Sequence, residues 1–254
     1  MNRLKIFFIL FILYSCHSPK SESSSAIIPV KQQEIKDSIL NIDLKLEFEQ
    51  DSIMNLLNLV DVQSIDSSIQ IDLKYASADN FMKQKLYHKL TKLYLQKDVA
   101  ERIAKSQVFL KSIHPNYSLL IYDGVRPVEV QQRMWDALDT IPVAERGRFV
   151  SNPKNHSVHN YGAAVDLTIV DEQGIPLDMG AGYDDIRKIA YPSLEAQFLA
   201  SGELTEKQIN NRKLLRKVMQ NQGFINIPSE WWHFNAYTRN EVKKRYKILE
   251  KEPE

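Results

Sequence analysis

The chain has a single cysteine, Cys16, among its 254 residues. An intramolecular disulfide is therefore excluded, and a fold outside the cytosol has to be held by its core or by a metal. Excess charge is missing too. The formal net charge is +1 and no long basic run occurs, so the electrostatic footprint of a nucleic-acid-binding protein is absent and no nucleic-acid partner is expected. No apolar run is long enough for a comfortable transmembrane helix, and no internal repeat is visible. What is present is an ordinary globular composition, 43% hydrophobic, enough for a sizeable core.

The one long apolar stretch lies at the start. MNRLKIFFILFILYSC places Arg3 and Lys5 before an apolar segment from Ile6 to Tyr14, which is the layout of a secretory signal. Leu13-Tyr14-Ser15-Cys16 resembles a bacterial lipobox, although Tyr14 is bulky for its position. The expectation is a lipoprotein signal peptide over residues 1–15 and a lipidated Cys16 as the only membrane contact, in the bacterial cell envelope and facing the periplasm; a plain signal peptide or an uncleaved anchor is the alternative. HSPKSESSS then reads as a flexible tether, and residues 26 to about 60 as linker with an amphipathic segment. Residues 16–60 are thus assigned to the lipidated cysteine and tether, and residues 61–254 to a single catalytic domain.

Within that domain the periodicities alternate. SIQIDLKYA sets Ile69, Ile71 and Leu73 against polar neighbours, as a half-buried strand does. Residues 92–113 carry Leu95, Val99, Ile103, Leu110 and Ile113 near a helical period. YSLLIYDG reads as a strand ended by Gly124, followed by a helix starting at Pro127. Ile141 to Asn155 reads as loop, AVDLTIV as strand, and LTEKQINNRKLLRKVMQNQG as a helix stopped by Gly223. FINI and WWHFNAY close the sheet. The fold class expected is α+β, one domain with a mixed or antiparallel sheet flanked by helices and a metal site on one sheet face.

The chemistry begins in SVHNYGAAVD. Asp166 opens the apolar strand AVDLTIV, where an unpaired carboxylate would cost several kcal/mol. Val165, Leu167 and Ile169 point one way, Ala164, Asp166 and Thr168 the other, and the second face is small and polar like the wall of a site. Gly162 permits a tight turn that folds His159 back over Asp166. Imidazole and carboxylate together suit zinc, and a plain His–Asp hydrogen bond suits the spacing as well. PSEWWHF adds Glu230 and His233, which a regular strand would face oppositely, so the backbone has to bend near Glu230 for both to reach one site. Two histidines and one carboxylate leave a fourth zinc position open for water, and a separate Glu can take that water's proton.

The pattern Ser157, His159, Gly162, Ala164, Asp166, followed by Glu230, Trp232, His233, resembles the zinc peptidases of the D-Ala-D-Ala carboxypeptidase and dipeptidase superfamily. LKYASADNF and IYDGVRP resemble the tyrosine and arginine motifs of its dipeptidase branch, and the likeness covers roughly residues 61–240. The resemblance implies one zinc ion held by His159, Asp166 and His233, with Glu230 as general base and Arg126 stabilising the oxyanion. It also implies a small dipeptide as substrate, contacted by Ser157 and Tyr75, with Asp184 receiving the free amino group; Asp185 beside it competes for that role. A carboxylate at the amino end explains dipeptide selectivity, because longer chains lack an ammonium at that place. Val125 stands where the branch usually has an aromatic residue, which implies a looser wall, and His156 reads as a loop histidine. His17, His88 and His114 lie outside the motifs. The lipobox is the larger departure, since the resistance-type dipeptidase works in the cytoplasm. The alternatives are a D,D- or L,D-carboxypeptidase trimming stem peptides and a lipoprotein that binds without hydrolysing.

Overall fold

The computed structural model describes residues 27–253, so the expected signal peptide, Cys16 and the expected Ser-rich tether lie outside the described residues. The chain divides into two units between Leu46 and Glu47. Of the first, residues 27–46 belong to helix α1 (Ile27–Leu56), where Ile35, Ile39, Ile42 and Leu44 are exposed.

The second unit starts earlier than the boundary at residue 61. Its α1 residues Gln50 and Met54 are buried, Gln50 Nε2 donates to Lys89 O at 3.0 Å, and Asp51 accepts from Tyr94 OH at 2.6 Å. Residues 47–60, read as linker, are therefore part of the packed unit. The apolar residues here are diluted by charges, and one of these, Asp51, pairs with Lys92 of a later segment at 3.0 Å.

Next come strand β1 (Leu59–Asp61), the short helix α2 (Val62–Ile65) and strand β2 (Gln70–Ile71). Only two residues of SIQIDLKYA are strand, because Tyr75 enters a one-turn helix at Lys74–Ala76. Strand β3 (Tyr94–Gln96) precedes helix α3 (Lys97–Ile113), which corrects the helix expected from residue 92: Tyr94 to Gln96 are all buried and pair antiparallel with β1. Strand β4 (Ser118–Asp123) leads to helices α4 (Val128–Ala137) and α5 (Val143–Arg146), the latter within the stretch expected as loop. Strand β5 (Ala164–Val170) is followed by helices α6 (Glu195–Ser201) and α7 (Glu206–Asn221). A Thr205/Gln208 capping box starts α7, and the chain turns at Gly223 with φ 73°. Strands β6 (Ile225–Asn226) and β7 (His233–Asn235) and helix α8 (Arg239–Arg245) complete the unit.

The main sheet has the order β2-β4-β5-β7-β6. Its β2–β4 pair is parallel, the others antiparallel, so the mixed sheet and the α+β class are as expected. β5 lies at the centre with all seven residues buried. One core joins its Val165, Leu167 and Ile169 to Val99 and Ile103 of α3 and Leu215 and Val218 of α7. Each such side chain contributes roughly 1.5–3 kcal/mol of burial. With those helices covering one face, Asp166 is left on the other.

Candidate active site

The pairing register assembles the site. Asp123 of β4 lies opposite Asp166 of β5, which lies opposite His233 of β7, so three adjacent strands deliver three polar residues in one row. A register shift between Ile121 and Asp123 brings Asp123 into that row. His159 arrives from the one-turn helix Val158–Tyr161, which closes on Gly162 with φ 65°. A side chain at Gly162 would be strained by that angle and would also collide with Leu59. The turn thus carries His159 back over the strand as its glycine suggested: Nε2 stands 3.4 Å from Asp166 Oδ1.

His159 Nε2 and His233 Nδ1 are 3.2 Å apart, and Asp166 Oδ1 lies 3.0 Å from the latter. His159 Nδ1 is 2.7 Å from the Gly124 carbonyl, an acceptor that holds the ring proton there and leaves Nε2 its lone pair. One donor atom from each of His159, Asp166 and His233 lies within 4.8 Å of the other two, and all three residues are buried. Burial alone would raise the Asp166 carboxyl, but the charge and hydrogen bonds of His159 and His233 hold it well below the usual range. Burial would likewise lower His233, yet Asp166 raises it to about 8. The cluster is built around an anion that demands positive charge, and two imidazoles plus a carboxylate are the donor set of a catalytic zinc site.

Glu230 Oε2 lies 3.9 Å from His233 Nδ1. The required bend is made by Asn226, whose Nδ2 donates to the carbonyls of Glu230 at 2.9 Å and His233 at 2.8 Å, cinching the loop between them. Burial pushes the Glu230 carboxyl up, against the opposing pull of His233. Arg126 is buried beside Asp166, with Nη2 3.6 Å from Asp166 Oδ2. Its Nε and Nη2 donate to Asp123 Oδ2 at 2.9 and 2.5 Å, while Asp123 Oδ1 accepts from Tyr87 OH at 2.5 Å. Nη1 of Arg126 makes no hydrogen bond among the described residues.

Tyr75 OH donates to both Asp184 oxygens, at 3.1 and 3.0 Å. Burial and the charge of Asp166 raise the Asp184 carboxyl well above its ordinary value. The two candidates at this position part company here. Asp185 pairs with the exposed Arg187, Nη2 to Oδ2 at 2.5 Å, which holds its carboxyl low. Asp184 sits in the left-handed region at φ 59° and turns toward Tyr75. Ser157 is buried, and its Oγ accepts from His159 N at 3.3 Å.

These side chains border one cavity of about 250 Å³ that takes in Tyr75, Arg126, Ser157, Asp184 and Glu230 along with the His–Asp–His cluster. His156 does not border it, and neither does Val125, which is packed in a core with Tyr75 and Tyr87, so the substitution there does not open the wall. Sequence reasoning missed three residues. Asp123, inside the quoted IYDGVRP, anchors Arg126, and a buried strand-end carboxylate three residues from an arginine was the available signal. Tyr183 OH donates to Asp166 Oδ2 at 3.2 Å, and Asn235 meets His233; neither carries a local signal.

Residues 55–251 match the family described as D-ala-D-ala dipeptidase. The chain belongs to that family. It is 35% identical over 176 residues to the D-alanyl-D-alanine dipeptidase of Escherichia coli (strain K12), covering 69% of this chain and 83% of that one. The D-alanyl-D-alanine dipeptidase of Synechocystis sp. (strain ATCC 27184 / PCC 6803 / Kazusa) is 28% identical over 168 residues, covering 56% and 68%. The solved LdcB LD-carboxypeptidase aligns with 74% of this chain and 71% of its own at 18% identity and a TM-score of 0.41, too distant to bear on the chemistry. The protein is accordingly a zinc metallopeptidase, and the His–Asp–His donor set fits that metal.

Proposed function

We propose that the enzyme hydrolyses D-Ala-D-Ala, or a related D,D-dipeptide, to free amino acids in the bacterial cell envelope, in peptidoglycan turnover. The observation that carries this reading is the Asp184–Tyr75 pair, a half-buried carboxylate bordering the same cavity as the His–Asp–His cluster. A free dipeptide has an ammonium group one residue from its scissile bond, and Asp184 is the anion available to meet it.

In this reading His159, Asp166 and His233 hold the zinc. Zinc bound there supplies Lewis acidity, polarising the peptide carbonyl and making water nucleophilic near neutral pH. Glu230 accepts the proton of the attacking water, a role suited to a carboxylate whose pKa burial has raised. It then delivers that proton to the leaving amine. Arg126, with Asp123 fixing one edge of its guanidinium, offers Nη1 to the developing oxyanion. Asp184 and Tyr75 seat the substrate amino group, and Ser157 contacts the substrate from the His159 turn. A lipid on Cys16 would hold the protein at the membrane, away from the cytoplasmic dipeptide pool, which favours turnover in the envelope over glycopeptide resistance. Cys16→Ser should move the protein from membrane to soluble fractions; retention at the membrane would refute the anchor.

The test of the reaction compares D-Ala release by the zinc-loaded protein from free D-Ala-D-Ala, from its N-acetyl derivative and from a longer peptide ending in D-Ala-D-Ala. Cleavage of the free dipeptide alone is expected. Cleavage of the extended peptide would make the enzyme a carboxypeptidase, and cleavage of none would leave a binding protein. Glu230→Ala should retain zinc and lose roughly 10²–10⁴-fold in kcat.

A further inference from the structure

His233 has two ring nitrogens and, when neutral, one proton. Nδ1 faces Asp166 Oδ1 at 3.0 Å and Nε2 faces Asn235 Oδ1 at 2.9 Å. Both oxygens are acceptors, so they compete for the same proton. If it sits on Nδ1, the ring donates to Asp166 and its lone pair, on Nε2, points away from His159 and Asp166. If it sits on Nε2, the ring donates to Asn235 and the Nδ1 lone pair points into the cluster, 3.2 Å from His159 Nε2. Only the second tautomer can ligate a metal there. His159 has its tautomer set by the Gly124 carbonyl, a backbone group that no substitution removes. His233 depends on one side chain.

We propose that Asn235 is the positioning residue that holds His233 in its metal-ligating tautomer, accepting Nε2–H so that Nδ1 faces the zinc. Strand geometry places it for this. Residues 233 and 235 are two apart on β7, so both side chains leave the sheet on the same face. Across the register, Asn235 lies opposite Ala164, whose methyl group leaves room for an amide beside the imidazole. Asn235 borders the same cavity as Glu230 and His233, and its side chain makes no other hydrogen bond among the described residues. Its amide therefore serves His233 rather than a structural network. An outer acceptor of this kind commonly changes metal affinity by 10–100-fold when removed.

The inference rests on His233 being a zinc ligand. It is tested by chelator competition for zinc on the full-length protein and its Asn235→Leu, Asn235→Asp and His233→Ala variants. Leucine keeps the size of the side chain and deletes the acceptor; aspartate keeps an acceptor and offers no donor. Expected are a 10–100-fold loss of zinc affinity in Asn235→Leu, affinity at or above the wild type in Asn235→Asp, and a larger loss in His233→Ala. In ¹⁵N-histidine spectra of the zinc-loaded protein, the proton of His233 should reside on Nε2. Unchanged affinity in Asn235→Leu, or an Asn235→Asp variant as weak as it, would overturn the proposal while leaving the ligand set standing. Unchanged affinity in His233→Ala would overturn the ligand set and the proposal with it. Should Asn235→Leu fail to fold, Asn235→Asp still decides, since a 10–100-fold loss of zinc affinity there would overturn the proposal.

Discussion

Asp184 is the residue whose chemistry is most at odds with its surroundings. Burial and the neighbouring Asp166 raise its carboxyl, so it takes up a proton at a pH where an exposed aspartate is still ionised. The proposed amino-group pocket needs the ionised form. As pH falls through the raised value, Asp184 becomes neutral and affinity for the ammonium is lost; above that value it is fully available. KM for the free dipeptide should therefore climb on the acid side sooner than an ordinary carboxylate would dictate. Asp184→Asn should raise KM about 10–100-fold at neutral pH, the worth of a charged hydrogen bond at about 1.5–3 kcal/mol, and should flatten that acid limb. A KM profile identical to wild type would remove Asp184 from substrate binding. Asp185, held low by Arg187, should tolerate the same substitution with little change in KM.

At the scale of elements, the site depends on a segment that carries none of its chemistry. The chain after α8 runs back across the molecule: Leu249 N donates to Asn160 O at 2.9 Å, beside His159, and Leu249 O accepts from Val128 N at the start of α4. The Glu252 carboxylate then accepts from three successive backbone N–H groups, His88, Lys89 and Leu90, at 2.9, 3.0 and 3.1 Å, and from Arg133 Nη1 at 3.0 Å. Burial would raise this carboxyl, but those N–H groups and Arg133 hold it below its ordinary value. A depressed carboxyl contributes stability that is present above its unfolded pKa and lost as pH falls through its folded one. Glu252→Gln should lower the urea midpoint by the equivalent of about 1–3 kcal/mol at neutral pH without changing the m-value. The gap from wild type should narrow in acid. An equal midpoint at neutral pH would show that the tail is not a clamp.

For the whole molecule, the His–Asp–His cluster joins two strands and one turn, so metal and fold are linked. Zinc that binds only the folded state at 1,000 times its dissociation constant stabilises by about 4 kcal/mol. For a domain of this size each kcal/mol moves Tm by roughly 2–4 °C. Chelation should thus lower Tm by about 8–16 °C, and added zinc should restore it; a Tm indifferent to chelator would mean the cluster holds no metal under those conditions.

Much of the site could be read from the sequence because its signals are local. Ser157, His159, Gly162 and Asp166 span one turn and one strand, and the left-handed Gly162 that joins them is a property of the backbone. Asp166 in an apolar strand announces a buried charge by itself, and α7 with its capping box and the alternation of β5 are equally local. Other features were decided by tertiary structure, since they depend on pairing between distant parts of the chain. Tyr75 meets Asp184 across 109 residues, and Asp184 is told from Asp185 by that contact. Residues 94–96 are strand and not helix because β1 supplies partners, and residues 47–56 join the packed unit because Lys89 and Tyr94 bond to them. Periodicity within one segment reports which face is apolar. It carries no information on which carboxylate a distant tyrosine will find, and that is settled by register.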